Sequence, residues 1–139
     1  MASQLISNID LSKIFLGNDK TRKATYTNGT GSPVTLVPGR IMGHVISNGK
    51  VLPQNKDSTD GSQQPRFVLM SAHDAVADGA SVQVTLCVSG EVDASKLICA
   101  SGETLDSAVG TTGLIGDLLM ANSHILLVDG VQNTFLDNQ

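Results

Sequence analysis

With 139 residues, the chain is long enough for one domain with a modest core. Only 16% of the residues are charged and 3% are aromatic, with no Trp, so a core must be built from Val, Ile and Leu. Residues 1–56 carry seven Lys or Arg against two Asp, whereas residues 57–139 carry two against eleven Asp or Glu. This acidic body argues against a nucleic-acid partner, and we expect no secretory signal and no membrane partner because long apolar runs are absent.

Residues 1–23 are predicted to form an N-terminal arm, and residues 24–139 a β-rich domain. Large apolar residues occur in the arm without helical periodicity. They are Leu5, Ile6, Ile9, Leu11, Ile14, Phe15 and Leu16. A segment with this many large apolar residues is unusual for a free tail, so we expect it to be loose until it meets a partner. Ile9, Leu11, Ile14 and Phe15 are the expected apolar anchors, and Lys13, Lys20, Arg22 and Lys23 add positive charge.

The next thirty residues predict strands joined by tight turns. The β-prone runs are Ala24–Thr27, Pro33–Val37, Ile41–Ile46 and Lys50–Leu52. The Asn48-Gly49 pair between the last two predicts a hairpin in which both turn residues have positive φ. Residues 54–64 are rich in Asp, Ser, Gln and Gly and predict a loop.

The second half predicts strands and one helix. A strand is expected at Phe67–Met70, and one turn of helix at Ser71–Ala77. Ser81–Val88 alternates strictly, with Val82, Val84, Leu86 and Val88 on one face, and predicts a half-buried strand. Apolar residues between Leu114 and Leu119 predict a helix capped by Thr111 or Thr112 and ended by Asn122-Ser123. Ile125–Val128 predicts a last strand, so the fold class is α+β and predominantly β.

Residues that could carry catalysis or bind a metal are sparse. His44, His73 and His124 are far apart and show no zinc-ligand spacing. Asp57, Asp60 and Gly61 do not follow the calcium-loop register. Cys87 and Cys99 are expected to behave as small apolar residues, although the sequence leaves a disulfide open. We therefore expect no catalytic site, no cofactor and no metal, while a small hydrolase assembled from distant residues stays open.

Taken in order, several short motifs resemble the lambda-type head decoration proteins of tailed bacteriophages over about residues 34–128. The N-terminal part of the resemblance is Val37–Gly43, Asp60-Gly61-Ser62 with Pro65, and Phe67–Leu69. It continues in the Asp74-Ala75 turn, the strand Val82–Val88, Gly90-Glu91-Val92 with Leu97, the Leu118-Leu119 helix and Ile125–Leu127. Residues 1–20 and those after Asp129 depart from the pattern.

The resemblance implies a small β-barrel-like, β-tulip-type domain with one main helix and an N-terminal arm. It also implies a homotrimer on the outer surface of the phage capsid, made in the host cytoplasm. There it would bind the major capsid protein at three-fold and quasi-three-fold positions and stabilise the head against packaged DNA. The expected capsid-binding residues are Ile9, Leu11, Ile14, Phe15, Lys20, Arg22 and Lys23. The alternative function is a carbohydrate- or receptor-binding module of a phage fibre or surface adhesin.

Overall fold

The structure, a computed structural model, describes residues 11–128 and consists mostly of β-strands with one α-helix. The strands are β1 Phe15–Thr27, β2 Val34–Leu36, β3 Ile41–His44, β4 Val51–Pro53, β5 Phe67–Leu69, β6 His73–Val76, β7 Ser81–Asp93, β8 Ala108–Val109, β9 Gly113–Leu114 and β10 His124–Val128. Helix α1 spans Ile115–Asn122, and short 3-10 turns occupy Leu11–Lys13 and Ala94–Lys96. None of the helices in this part of the chain is long and apolar enough to cross a membrane.

One six-stranded sheet organises the domain, and its strand order is β1-β7-β5-β3-β4. These neighbours are antiparallel, whereas β10 runs parallel to the second half of β7. Two small sheets, β2–β6 and β8–β9, flank it. The predicted α+β, predominantly β class is therefore confirmed.

The main sheet curls until β4 lies beside the C-terminal end of β1, but the two strands do not pair. Only a side-chain bond crosses between them at this point, from Lys50 Nζ to the Thr27 hydroxyl at 3.1 Å. The sheet is thus not closed into a barrel, and the barrel-like closure expected from the resemblance is not formed. A cleft is left where the closing ladder would lie.

Two apolar clusters pack against the main sheet, and β7 contributes to both. The first contains Ile14, Phe15, Ile41, Val68, Cys87, Val92, Val109, Ile115, Leu119 and Ile125. The second contains Tyr26, Leu36, Met42, Val51, Leu69, Val76, Val84 and Leu86. The predicted alternation of β7 holds for Val84 and Leu86, but Cys87 on the opposite face is also fully buried. Both faces of β7 are covered because Cys87 packs in the first cluster and Leu86 in the second.

The predicted arm requires a correction for residues 11–23. Strand β1 begins at Phe15, so the predicted boundary after residue 23 falls inside a strand. Phe15 pairs with Val92, and Ile14 and Phe15 are only 5% and 6% exposed in the first cluster. The physical reason is the length of β7, whose backbone donors and acceptors need a partner along all thirteen residues. Residues 1–10, with Leu5, Ile6 and Ile9, lie outside the described residues.

The other predicted strands are confirmed, and so is the hairpin, but three local predictions are wrong. Ser71–Ala77 is not helical, because strand β6 pairs with β2 there and Ala75 has a φ of 51°. In the Asn48-Gly49 turn only Gly49 has positive φ. Helix α1 has Leu114 rather than a threonine at its N-cap, since the Thr112 hydroxyl donates to the Val109 carbonyl at 2.7 Å. The helix ends at Asn122 as predicted.

A buried asparagine holds the C-terminal end of β1 in place. Asn28 is completely buried, and its Nδ2 donates to the Ser32 and Val76 carbonyl oxygens at 2.7 and 2.8 Å. Its Oδ1 accepts from the backbone and hydroxyl of Thr30 at 2.9 and 2.8 Å. Both the amide nitrogen and the amide oxygen of this buried side chain therefore have hydrogen-bond partners. The loop after β1 is fixed against β6, and this loop forms one wall of the cleft.

Candidate functional site

The outer edge of β1 is a long exposed strand edge. Within residues 11–128, β1 pairs only with β7, and the six residues 18–23 are exposed on both faces of the sheet. An unpaired edge presents backbone donors and acceptors that can bind another strand. This segment therefore supplies the main surface at which the described domain could extend its sheet.

Three cations lie along this edge. Lys20, Arg22 and Lys23 are exposed and stand opposite Ser89, Leu86 and Thr85 of β7. Among the described residues the one ion pair joins Lys56 to Asp57 at 3.2 Å, so these three cations have no carboxylate partner there. The edge is consequently basic and suited to an acidic partner.

A bulge near its N-terminal end shapes the strand edge. The register between β1 and β7 shifts between Phe15 and Thr21, where Asn18 has a φ of 57° and Gly90 a φ of 127°. A Cβ at Gly90 would lie 2.7 Å from Asp19 Oδ1 and 2.9 Å from Asp19 Cα, so the close approach requires glycine. Bulges increase the local twist of a strand. The bulge thus marks where the buried start of β1 gives way to its exposed part.

The predicted capsid-binding residues fall into three groups. Ile9 lies outside the described residues. Ile14 and Phe15 are buried in the first cluster, so they stabilise the fold and are not available as a free surface. Leu11, at 39% exposure, and the three basic residues of β1 remain on the surface. Sequence reasoning located the cations, but it treated the buried start of a strand as part of a loose arm.

The second candidate is the cleft between the C-terminal end of β1 and β4, with a volume of about 550 Å³. Its apolar lining consists of Tyr26, Val34, Val45, Leu52 and Pro53. Its neutral polar lining consists of Thr27, Thr30, Asn48, Asn55, Ser58 and Ser62. Gly29 and the charged residues Arg40, Lys50 and Asp60 complete it. This groove, which we call the β1–β4 groove, combines hydroxyl, amide and cationic groups over an apolar floor.

Arg40 and Asp60 of the β1–β4 groove differ in their hydrogen-bond partners. Arg40 donates to the Ile98 and Gln54 carbonyl oxygens at 3.3 and 3.0 Å, and burial lowers the pKa of its guanidinium. Asp60 accepts from the Ser62 hydroxyl and backbone at 2.6 and 3.0 Å, and these bonds lower the pKa of its carboxyl. The anion is therefore held by Ser62, whereas Arg40 bonds only to neutral oxygens.

Candidate catalytic and metal-binding residues do not assemble into a larger group. His44, His73 and His124 lie on β3, β6 and β10. Within residues 11–128 no three His, Cys, Asp or Glu side chains are placed to hold a metal ion. Both cysteines are free thiols, and burial raises the pKa of Cys87 to about 11. At neutral pH Cys87 is therefore protonated and a poor nucleophile.

Sequence reasoning missed one contact between a hydroxyl and an imidazole. Ser71 Oγ lies 3.0 Å from His73 Nε2, and burial lowers the pKa of His73. The Ser-x-His spacing could have indicated it, because alternate residues of a strand share a face. However, the hydroxyl also accepts from the Thr85 backbone at 3.0 Å, and no carboxylate of the described chain bonds to His73. The pair lacks the third group that orients a catalytic base, so its visible role is to join β6 to β7.

No family model matches this sequence, and no curated protein matches it significantly. The resemblance to head decoration proteins is carried by the ordered motifs of the sequence alone. Two surfaces of the described domain can bind a partner, namely the basic edge of β1 and the β1–β4 groove.

Proposed function

We propose that the protein is a non-enzymatic structural protein of a phage head, with a β-tulip-type domain. It binds the outer surface of the expanded capsid as a trimer at three-fold and quasi-three-fold positions, and it stabilises the head against packaged DNA. The observation that carries this proposal is the basic outer edge of β1, where Lys20, Arg22 and Lys23 lie on a strand whose outer edge is unpaired within residues 11–128. The sequence resemblance supplies the identity of the partner, the major capsid protein.

The strand edge supports binding by sheet extension. A strand added to an exposed edge gains main-chain hydrogen bonds with little demand on side-chain identity. The three cations favour an acidic strand, and they also keep the edges of two copies from pairing with each other because like charges repel. The same residues therefore explain selectivity for a partner and resistance to self-association at this edge.

A trimer makes such a weak contact effective. Three edges presented together turn the second and third contacts into intramolecular events. If the trimer binds only the expanded shell, its binding stabilises the expanded state of the shell by mass action. Exposed apolar side chains are available for trimer contacts: Leu114 just before α1, Met120 within it, and Leu126 on β10, which faces away from the Ile125 and Leu127 side that packs on α1.

We expect the purified chain to be a trimer at micromolar concentration, because its aliphatic core is small and leaves Leu126 53% exposed. Light scattering coupled to gel filtration measures the mass directly. The Leu126→Lys variant should reduce the trimer fraction, whereas Ile46→Lys, at a more exposed position on the β3–β4 loop, should not. A monomer at every concentration would contradict the trimer.

Reversing the charge of the β1 edge should weaken shell binding. The triple variant Lys20→Glu, Arg22→Glu, Lys23→Glu is expected to bind expanded shells about 100-fold more weakly, at about 1 kcal/mol per cation. Co-sedimentation with expanded shells of the same phage that lack this protein measures the affinity. The matched control reverses Lys56, Arg66 and Lys96, which changes the net charge equally outside residues 11–23. Equal loss in both variants, or loss in neither, would refute the role of β1.

A carbohydrate- or receptor-binding module remains the second candidate function, and the β1–β4 groove is the observation that favours it. Aromatic platforms for neutral sugars are lacking among the described residues, since Tyr26 is 1% exposed and Phe15 is buried. Phe67 is half-buried, and Phe135 lies outside the described residues. Any ligand of the groove must therefore be held by polar and charged contacts.

A further inference from the structure

The β1–β4 groove lies at the end of β1 that is farthest from Leu11. Thr27 of β1 and Lys50 before β4 meet there, whereas Lys23, the last cation of the basic edge, lies four residues earlier in the strand. At about 3.3 Å per residue this is a distance of roughly 13 Å. The groove therefore borders the basic edge of β1, but Lys20, Arg22 and Lys23 do not line it.

The walls of the groove match a ligand rich in hydroxyl groups. Thr27, Thr30, Asn48, Asn55 and Ser58 offer donors and acceptors at short side chains. Small-molecule sites combine such polar groups with an apolar floor, and their volumes run from about 300 to 1,000 Å³. The groove, at about 550 Å³, falls within this range.

Its charge favours an anion. Arg40 and Lys50 form no ion pair within residues 11–128 and donate to neutral oxygens, although the charge of Glu103 acts on Arg40. The single carboxylate of the lining, Asp60, accepts from Ser62 and stays negatively charged. Two cations and one carboxylate leave the lining positive by one charge, although the protein as a whole is negative, and Lys50 is the cation without a nearby carboxylate.

A peptide strand is a poorer fit to the same groove. An inserted strand needs about 4.8 Å on each side to pair with both neighbours. Lys50 Nζ already reaches the Thr27 hydroxyl at 3.1 Å across the opening between β4 and β1. The space is therefore shaped for a compact ligand and not for an extended chain.

We propose that the β1–β4 groove binds an acidic saccharide about the size of a disaccharide. The ligand's carboxylate contacts Lys50, and its hydroxyl groups contact the Thr and Asn side chains of the walls. This inference builds on the second candidate function, the carbohydrate-binding module, and names its ligand class: uronate-bearing glycans.

The test uses the full chain labelled with ¹⁵N, titrated with a galacturonate disaccharide, with its neutral galactose counterpart and with acetate. The acidic disaccharide should shift the backbone amides of Thr27, Thr30, Lys50 and Asn55. It should bind at least about 10-fold more tightly than the neutral disaccharide, since a hydrogen bond between an ammonium group and a carboxylate is worth about one decade. It should also bind more tightly than acetate, which has no hydroxyl groups to contact the walls.

Variants of Lys50 then test whether its positive charge binds the carboxylate of the ligand. Lys50→Gln should weaken binding of the acidic disaccharide about 10-fold, whereas Lys50→Arg should retain most of it. Lys56→Gln is the matched control, because Lys56 pairs with Asp57 and does not line the groove, and it should bind like the parent. The amide spectrum of each variant verifies its fold.

Any one of four results would overturn the proposal. They are equal binding of the acidic and neutral disaccharides, binding of acetate as tight as that of the acidic disaccharide, undiminished binding by Lys50→Gln, and absence of shifts at the four amides. Since no shells enter the experiment, its failure leaves the capsid-binding proposal unaffected.

Discussion

Replacing Phe15 with alanine is expected to lower the free energy of unfolding by about 3–5 kcal/mol. The side chain is 6% exposed and packs in the first cluster with Ile14 and Val92. Its loss removes a buried ring and leaves a cavity that the surrounding strands fill only in part. Urea denaturation followed by circular dichroism measures the change, with the slope of the transition as a check on two-state unfolding.

Leu11→Ala is the matched control. Leu11 lies four residues earlier and is 39% exposed, so its truncation should cost less than about 1 kcal/mol. The contrast separates a strand that belongs to the core from an arm that is loose in the free protein. If Phe15→Ala were as stable as Leu11→Ala, residues 11–23 would behave as the arm that the sequence predicted.

Gly43→Ala is expected to destabilise the fold by about 3 kcal/mol or more, at the upper end of the cost of overpacking. A Cβ at Gly43 would lie 2.6 Å from Ser62 Cα and 2.7 Å from its carbonyl carbon. Neither neighbour can rotate away, because both are backbone atoms. Gly43 lies in β3 between β4 and β5, and Ser62 is 1% exposed and bonded to Asp60. Relief would need the 54–64 loop to move off the sheet.

The control for this variant is Gly29→Ala. Nothing lies within 4 Å of a Cβ at Gly29, and its φ is not in the left-handed region. The free energy of unfolding of this variant should lie within about 1 kcal/mol of the parent's value. A slight stabilisation is expected, because alanine lowers the conformational entropy of the unfolded chain. Thermal melting of the two variants side by side gives the comparison. Equal melting temperatures would mean that the 54–64 loop does not pack on β3.

Displacement of that loop also has a functional consequence. Asn55, Ser58 and Asp60 line the β1–β4 groove from this loop. A folded fraction of Gly43→Ala should therefore bind the acidic disaccharide more weakly than the parent protein does. The stability of β3 and the shape of the groove thus both depend on the close contact between Gly43 and the backbone of Ser62.

Local patterns in the sequence determined most of the strands and the helix. The alternation of Val84 and Leu86 reflects a face that is buried on the second cluster, and the period of Ile115 and Leu119 reflects the buried side of α1. The Asn48-Gly49 pair predicted the β3–β4 hairpin because few residues suit a tight turn. Each of these features depends on residues a few positions apart, and the sequence therefore shows it directly.

The exposed part of β1 has no such signal. Residues 18–23 are polar at every position because both faces are open to solvent, so the alternation that marks a half-buried strand is missing. Pairing with β7 makes this segment a strand. Likewise, pairing with β2 turned the predicted helical turn at residues 71–77 into strand β6. Tertiary pairing overrode local preference in both places.

The sequence by itself determined a β-rich domain with one helix, a basic N-terminal portion and widely spaced histidines. Only the tertiary structure decided that Asn28, which directly follows the predicted strand Ala24–Thr27, is buried and bonds to Val76, forty-eight residues away. The tertiary structure also brings together the three segments that form the β1–β4 groove, at residues 26–34, 40–53 and 55–62. The physical reason is that a hydrogen bond or a cavity between distant segments depends on how the sheet curls. That curl results from all the strand pairings together, and no local run of residues encodes it.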